Sequence, residues 1–494
     1  MRSRRIAVAL VKLDMSGPVS FGDPQRELVQ NRMRRAISEA KNDEILVDIP
    51  VAKDPGGRAI VRGTSVFGAL RNHLATFMVI GGAKLRLRGI DSVEAGKRDG
   101  RSATLADLLC GSEPEELNTQ GKPALRPSAL RLVSSDLTQG TASDGNARTA
   151  VSRTLGAAEA RKLFRRAEVK DARIQLILQL DLAILEANCA AIAPTAAPLA
   201  VAEDFAEVLR RWQPLLGGRV GTGWGRATVG ELNWGVADPL GLDTLLSASS
   251  TIDVMSSIAT TPVAQGRELA SCIAPPDAST WSLDVPLVCG DFLLLDPREQ
   301  PTERRNNRAV TGDRVTGSSW RGLLRARSEF ILRSCGIEAC LSSEGEKICG
   351  QCPGCALFGW APGPRSKAHG IGSRGLVGFG DSEVTGTKAT LDHAPVDRFT
   401  GGAADGKLFT RESWAPGSTV TLSIYQLAPD RPLPEWGKHL LVLAISDLHQ
   451  GLVGVGNSTT RGYGTVELDT SATLPDVPDS WFESVPHMGS EVMT

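Results

Sequence analysis

Five of the nine cysteines fall between Cys335 and Cys355, in the order C-x4-C-x8-C-x2-C-x2-C. Soft thiolates at two-residue spacing grip one ion, and four of them close a tetrahedral structural zinc site. Cys340, Cys349, Cys352 and Cys355 are the expected ligands, with Cys335 or His369 as substitutes. A catalytic zinc would need an open position and a nearby acid or base, and the sequence argues for neither. Such clustering points to metal in a reducing, cytoplasmic compartment rather than to a disulfide framework. Cys110, Cys189, Cys272 and Cys289 stand singly, as small core residues do.

A second chemistry is written twice. "VRGTSVFGALR" (61–71) returns as "VTGSSWRGLLR" (315–325), which sets Gly63 and Gly317 254 residues apart. The glycine makes a sharp turn, Ser65, Ser318 and Ser319 stand where a helix begins, and free N–H groups there form an anion site. Arg71 and Arg325 follow about two turns on, within reach of a phosphate chain. A single copy would read as an ordinary capped helix with a surface arginine; two copies favour a shared ligand.

Two further signatures recur in the same order. "ARTAVSRTLGAAEARKLF" (147–164) is echoed by "DHAPVDRFTGGAADGKLF" (392–409), pairing Arg153 with Arg398. "GGRVGTGWGRATV" (217–229) is echoed by "GVGNSTTRGYGTV" (454–466), pairing Gly223 with Gly462 at a distance of 239. Three collinear matches at nearly constant offset indicate a tandem duplication.

These motifs need elements to hold them. Each unit opens on an apolar strand, near residues 5 and 281, followed by the turn–helix motif. An alternating strand follows the "KLF" loop, at 173–185 and 418–427, then a helix at 202–216 and 435–452, then the glycine loop and a closing strand. That order predicts an α+β chain of two ferredoxin-like (RRM-like) units with long insertions. The expected domains are 1–236 and 278–494, with a Ser-, Thr-, Ala- and Pro-rich linker over 237–277 and the zinc insertion near 335–355.

With 494 residues, 41% hydrophobic and 22% charged, the composition is that of a globular chain of two or three domains. A net charge of −1 gives no global attraction to a polyanion, so any nucleic-acid contact rests on local clusters such as "KLRLR" (84–88) and "RRNNR" (304–308). The opening "MRSRRIAVALVKLD" imitates a signal peptide, but Lys12 and Asp14 break its apolar run. Glu186, Pro194 and Pro198 argue against a membrane span in the apolar stretch 183–202.

Together these motifs resemble the RAMP superfamily, and more narrowly the backbone (Cas-seven family) subunits of type III CRISPR effector complexes, two fused in one chain as in type III-D variants. The turn–helix motif resembles that family's "PGSSLKGxLR", with Arg62 and Thr316 where proline is usual; "DIPVAKDP" (48–55) resembles its "DxPVxKDP" loop; "VDRFTGGAADGKLF" resembles its thumb. The resemblance implies a cytoplasmic ribonucleoprotein that holds guide (cr)RNA along its backbone and cuts paired target RNA opposite each thumb. Its partners would be other RAMP backbone and capping subunits, a small subunit and a large Cas-ten-type subunit, with no membrane.

By position, the resemblance implies Asp48 as the cutting residue, orienting a 2′-OH or recruiting a divalent cation such as magnesium. Seen alone, Asp48 is an acid at a strand end. In the second unit "LLLDP" (293–297) resembles "ILVDIP" (45–50), which makes Asp296 its expected counterpart, with Asp313 and Glu303 weaker candidates. Ser65, Arg71, Arg153, Ser318, Ser319, Arg325, Arg398, Gly223 and Gly462 are the expected RNA contacts. A guide-binding scaffold with idle aspartates, and a histidine-dependent guide-processing endonuclease, are the alternatives.

Overall fold

The computed structural model describes residues 5–22, 48–49, 51–87, 101–113, 116–118, 121–143, 165–237, 250–264, 266, 268–269, 272–275, 281–295, 308–341, 348–361, 372–427 and 431–486. The first apolar run forms β1 (Ile6–Met15), with Ala7, Ala9, Val11 and Leu13 fully buried on one face. The lead helix α1 (Gly63–Leu74) buries Val66, Leu70 and Leu74. Two long strands, β2 (Leu130–Ser143) and β3 (Glu168–Asp181), then pair antiparallel. Helices α2 (Leu182–Ile192) and α3 (Pro198–Arg210) precede β4 (Ala227–Ala237). The sheet runs Thr261–Pro262, β4, β1, β3, β2, antiparallel throughout.

The alternating strand expected to reach residue 185 stops at Asp181. Its carboxylate accepts from the N–H groups of Ala183 and Ile184 at 3.0 and 3.1 Å, and this N-cap starts α2. An alternating strand pattern is overruled at its end by one capping side chain.

The expected linker is another departure. Within it, α4 (Thr251–Ile258) lies on the far face of the first sheet, where Met255 and Ala259 pack with Val8 and Ile177. Gly235 makes room for this helix, because a Cβ there would overlap the Ile258 carbonyl. Thr261–Pro262 extends the first sheet, and Ile273–Ala274 pairs with Met78–Val79. A Ser- and Thr-rich composition concealed these apolar contacts; the described residues of the segment belong to the first half.

The second half has a comparable order of elements. Strand β5 (Ser282–Cys289) leads to helix α5 (Gly317–Ser334) and the short helix α6 (Pro353–Phe358). Then come β6 (Val377–Phe379), β7 (Ser382–Thr385), the hairpin β8 (Lys388–His393) and β9 (Phe409–Trp414), and β10 (Thr419–Gln426). Helix α7 (Glu435–His449) and β11 (Val466–Leu468) close it. The sheet order is Arg314–Val315, β7, β10, β5, β11, with β6 also on β10. Thus β1 lies between β4 and β3 as β5 lies between β11 and β10. Met15 faces Ala227 where Cys289 faces Val466, and Leu10 faces Ile177 where Asp284 faces Ser423.

The glycine loops match residue by residue. Gly217, Arg219, Gly223 and Gly225 all have positive φ, and so do Gly456, Ser458, Gly462 and Gly464, each 239 positions on. Leu216 N–H donates to the Gly225 carbonyl and Val455 N–H to the Gly464 carbonyl, both at 2.8 Å. A Cβ on Gly225 or Gly464 would overlap the carbonyl of Leu216 or Val455, whereas nothing stands within 4 Å of one on Gly462. Left-handed backbone costs an L-residue about 1–2 kcal/mol. Gly462→Ala should therefore lower stability by about that amount, and Gly464→Ala by more, as read from the thermal midpoint of the full chain. Equal midpoints would contradict the close approach.

Candidate functional site

The four expected metal ligands converge. The sulfurs of Cys340, Cys349, Cys352 and Cys355 lie within 4.8 Å of one another. Cys340 Sγ is 3.5, 3.8 and 3.7 Å from those of Cys349, Cys352 and Cys355. A tetrahedron with Zn–S bonds of about 2.3 Å has edges of about 3.8 Å, so the donor set fits a zinc-sized ion. Backbone N–H groups of Cys349, Gln351, Cys352 and Cys355 point at these sulfurs at 3.2–3.4 Å, as they do around thiolates. Hydrogen bonds from Cys340, Cys352 and Cys355 hold Cys349 far below the ordinary thiol range. Bonds to Cys340 and Cys349 push Cys352 well above it, and Cys355 is pushed up in the same way. A shared cation would offset the charge of the four sulfurs. Cys335, offered as a substitute ligand, is exposed outside the cluster, and His369 lies outside the described residues.

The two lead helices hold their motifs differently. In α5 the Thr316 hydroxyl caps Ser319 N–H at 3.3 Å and meets Ser318 Oγ and Ser319 Oγ at 2.9 and 3.0 Å. Gly317 N–H donates to Asp381 Oδ1 at 2.8 Å, so the expected anion position is filled by a carboxylate of the chain itself. The first-half glycine loop covers it further: a Cβ on Gly317 would stand 2.7 Å from the Thr222 carbonyl oxygen. Tyr425 Oη donates to the Val220 carbonyl at 3.2 Å, and Arg226 lies 4.3 Å above the Tyr425 ring. Gly223, expected to approach RNA, instead approaches Phe379 and Asp381. In α1, Arg62 provides no side-chain cap, and Thr64 and Ser65 are exposed.

The paired arginines also diverge. Arg71 is half-buried, 3.6 Å from Glu113. Arg325 is 7% exposed, and its Nε donates to Glu329 Oε1 at 2.9 Å while Nη1 donates to the Gly359 carbonyl at 2.8 Å. A guanidinium committed inside the fold does not lie along a surface phosphate chain, contrary to expectation. Periodicity put it on the helix; the buried Glu329 one turn on turned it inward.

The loop between β8 and β9 projects Phe399, 98% exposed, with Val396 and Arg398 beside it. Asp397 shapes the tip by accepting from Phe399 N–H and Thr400 N–H at 3.0 and 2.9 Å; these bonds, Thr400's first, lower its pKa. The hairpin base is pinned to the second glycine loop. His393 stacks on Phe409 at 5.0 Å and its Nε2 shares a 2.8 Å hydrogen bond with Tyr463 Oη, while Arg411 donates to Ser458 Oγ at 2.8 Å. Sequence reasoning missed His393, Arg411 and Tyr463 as a group; the only signal was an aromatic set between glycines. Arg153, in the matching first-half loop, lies outside the described residues.

Strand register tests the two aspartates. Asp48 and Ile49 pair in parallel with Arg165 and Arg166; Arg308 and Ala309 pair in parallel with Thr410 and Arg411. Both partner pairs directly follow a "KLF", and the bridges Val19–Val169 and Leu293–Trp414 keep the same spacing beyond. Arg308 therefore occupies the register of Asp48. The Leu294 carbonyl accepts from Asn457 as the Ser20 carbonyl accepts from Gly218, which aligns Leu294 with Ser20. Asp296 lies outside the described residues.

The described fold is thus a mixed α+β chain with antiparallel sheets and one tetracysteine cluster. Residues 260–467 match the RAMP superfamily. A match of this kind supports a CRISPR-associated RNA-binding role within a larger complex. A comparison with curated proteins finds no match. Among the described residues no helix is long and apolar enough to cross a membrane.

One zinc per chain is expected by elemental analysis, lost in Cys352→Ser. Metal binding at structural thiolate sites contributes on the order of 10 kcal/mol to folding. A strong chelator should therefore lower the second half's unfolding midpoint well below the first's. An unchanged midpoint would remove the metal from the fold.

Proposed function

We propose that the chain is two RAMP backbone units in tandem, of the type III-D kind, which bind guide RNA and cut complementary target RNA once per chain. The observation that carries this is the glycine-loop identity: four positive-φ positions recur at one offset, one set inside the RAMP-matched region and one outside it. Each unit is then a ferredoxin-like fold with insertions. Guide contacts fall to the uncapped start of α1 with Ser65, to Arg71 and Arg153, to Ser318 and Ser319, and to Arg398 and Phe399 at the hairpin tip, where an exposed ring offers a stacking face or a wedge between bases. Sequence is read by pairing, so these contacts follow backbone and shape.

Asp48 is the residue for cutting, with a divalent cation such as magnesium supplying charge neutralisation when bound. The second unit, with Arg308 in that register, grips without cutting. Its exposed loop, Thr459–Arg461 with Gly462, copies the first-half loop that docks on α5, which favours a further RAMP subunit at that end. Capping, small and large Cas-ten-type subunits complete the cytoplasmic assembly.

In reconstituted complex with guide RNA, Asp48→Ala should abolish this chain's cut while target binding persists, and Asp296→Ala should leave the cut intact. Persisting cleavage in Asp48→Ala would favour the non-catalytic scaffold. Phe399→Ala should slow or weaken engagement roughly tenfold, the scale of one lost stacking contact of about 1–3 kcal/mol. Gel-resolved single-turnover cleavage and filter binding give both readings.

A further inference from the structure

Three arginines on α5 address the cysteine-bearing segment. Arg321 donates to the Phe358 carbonyl. Arg325 donates to the Gly359 carbonyl at 2.8 Å, and its Nη2 lies 3.8 Å from Cys355 Sγ. Arg333 donates to the Cys340 carbonyl at 2.7 Å. Behind Arg325 sits Glu329, fully buried, packed so closely on Gly354 that a Cβ there would come within 2.9 Å of Glu329 Cγ. The carboxylate, guanidinium and sulfur form a buried row whose positive member faces the metal ligand.

Four thiolates around a dication leave two negative charges in a site whose ligands are mostly buried. A guanidinium against one sulfur offsets part of that charge and donates to it, as outer partners of metal ligands do. The first half shows the motif arginine without the metal. There the short helix Leu105–Leu109 is fixed by Arg101, paired with Asp107 at 2.6 and 2.7 Å, and Arg71 reaches Glu113 on the same segment. In its comparable "LLCG" stretch, Cys110 is a lone buried thiol, pushed up to about 12 by burial. The ion-pair cluster of one half stands where the other half has the tetracysteine centre.

We propose that Arg325 is a positioning residue of the metal centre, a charge partner of the Cys355 thiolate, and that through it the metal fixes α5 and the Gly317 junction with the first half. This rests on the reading of the cysteines as a metal site.

The test uses the full chain loaded with cobalt(II), read by its sulfur-to-metal absorption and by chelator competition. Arg325→Met should hold metal about 10–100-fold more weakly, the usual cost of losing an outer partner, and Arg325→Lys should recover part of that loss. Arg327→Met removes a 2.6 Å pair with Asp447 from the same helix and should leave metal affinity unchanged. Glu329→Gln removes a nearby negative charge at constant shape and should bind metal no more weakly than wild type. If Arg325→Met matches wild type, or if Glu329→Gln and Arg327→Met lose metal as Arg325→Met does, the charge-partner role is overturned. A wild-type chain that takes up no cobalt overturns the metal reading as well, and leaves the RNA reading standing.

Discussion

The close approach of two backbones at the junction governs the arrangement. Thr222 and Gly223 of the first-half loop press on Gly317 at the start of α5, and on Phe379 and Asp381 beside it, with no room for a side chain on Gly317. Loop and helix start can meet this way because positive φ at Gly217, Arg219, Gly223 and Gly225 folds the loop into a fixed knuckle. Contact at backbone distance is stiff, since neither partner has rotamers to adjust. The relation of the halves therefore follows from the two motifs that the sequence repeats.

The two lead helices spend their polar groups differently. The lead helix of the second half spends its N-terminal groups on Asp381 and its arginine on Glu329 and the cysteine segment. The lead helix of the first half keeps an open start, with Ser65 exposed. The second sheet exposes Asp284 and Thr421 on its far face, where the first sheet buries Val8 and Ile177 under α4.

The convergence of the four cysteines was legible from spacing because thiolates two residues apart suit a single metal ion. The recurrence of the glycine loop was legible for a similar reason: four positive-φ positions favour glycine, so the loop shows in the text of the sequence. The interior role of Arg325 was not legible. A helical arginine reads as surface until its partner is placed, and Glu329 is an unremarkable i+4 acid in the sequence. Nor was Arg308 legible as occupant of the Asp48 register, since parallel pairing is set by chain segments about a hundred residues apart.

The sequence by itself determined the pieces: the thiolate set, the turn–helix starts, the glycine knuckles and the alternating strands. Each depends on residues close in the chain, where local sterics and ligand geometry suffice. Tertiary structure decided which piece meets which. It placed α4 on the first sheet, set Asp381 rather than a phosphate at Gly317, turned Arg325 toward Cys355 and gave Arg308 the place opposite Thr410. Those outcomes turn on burial and pairing between distant segments, and no local pattern encodes them.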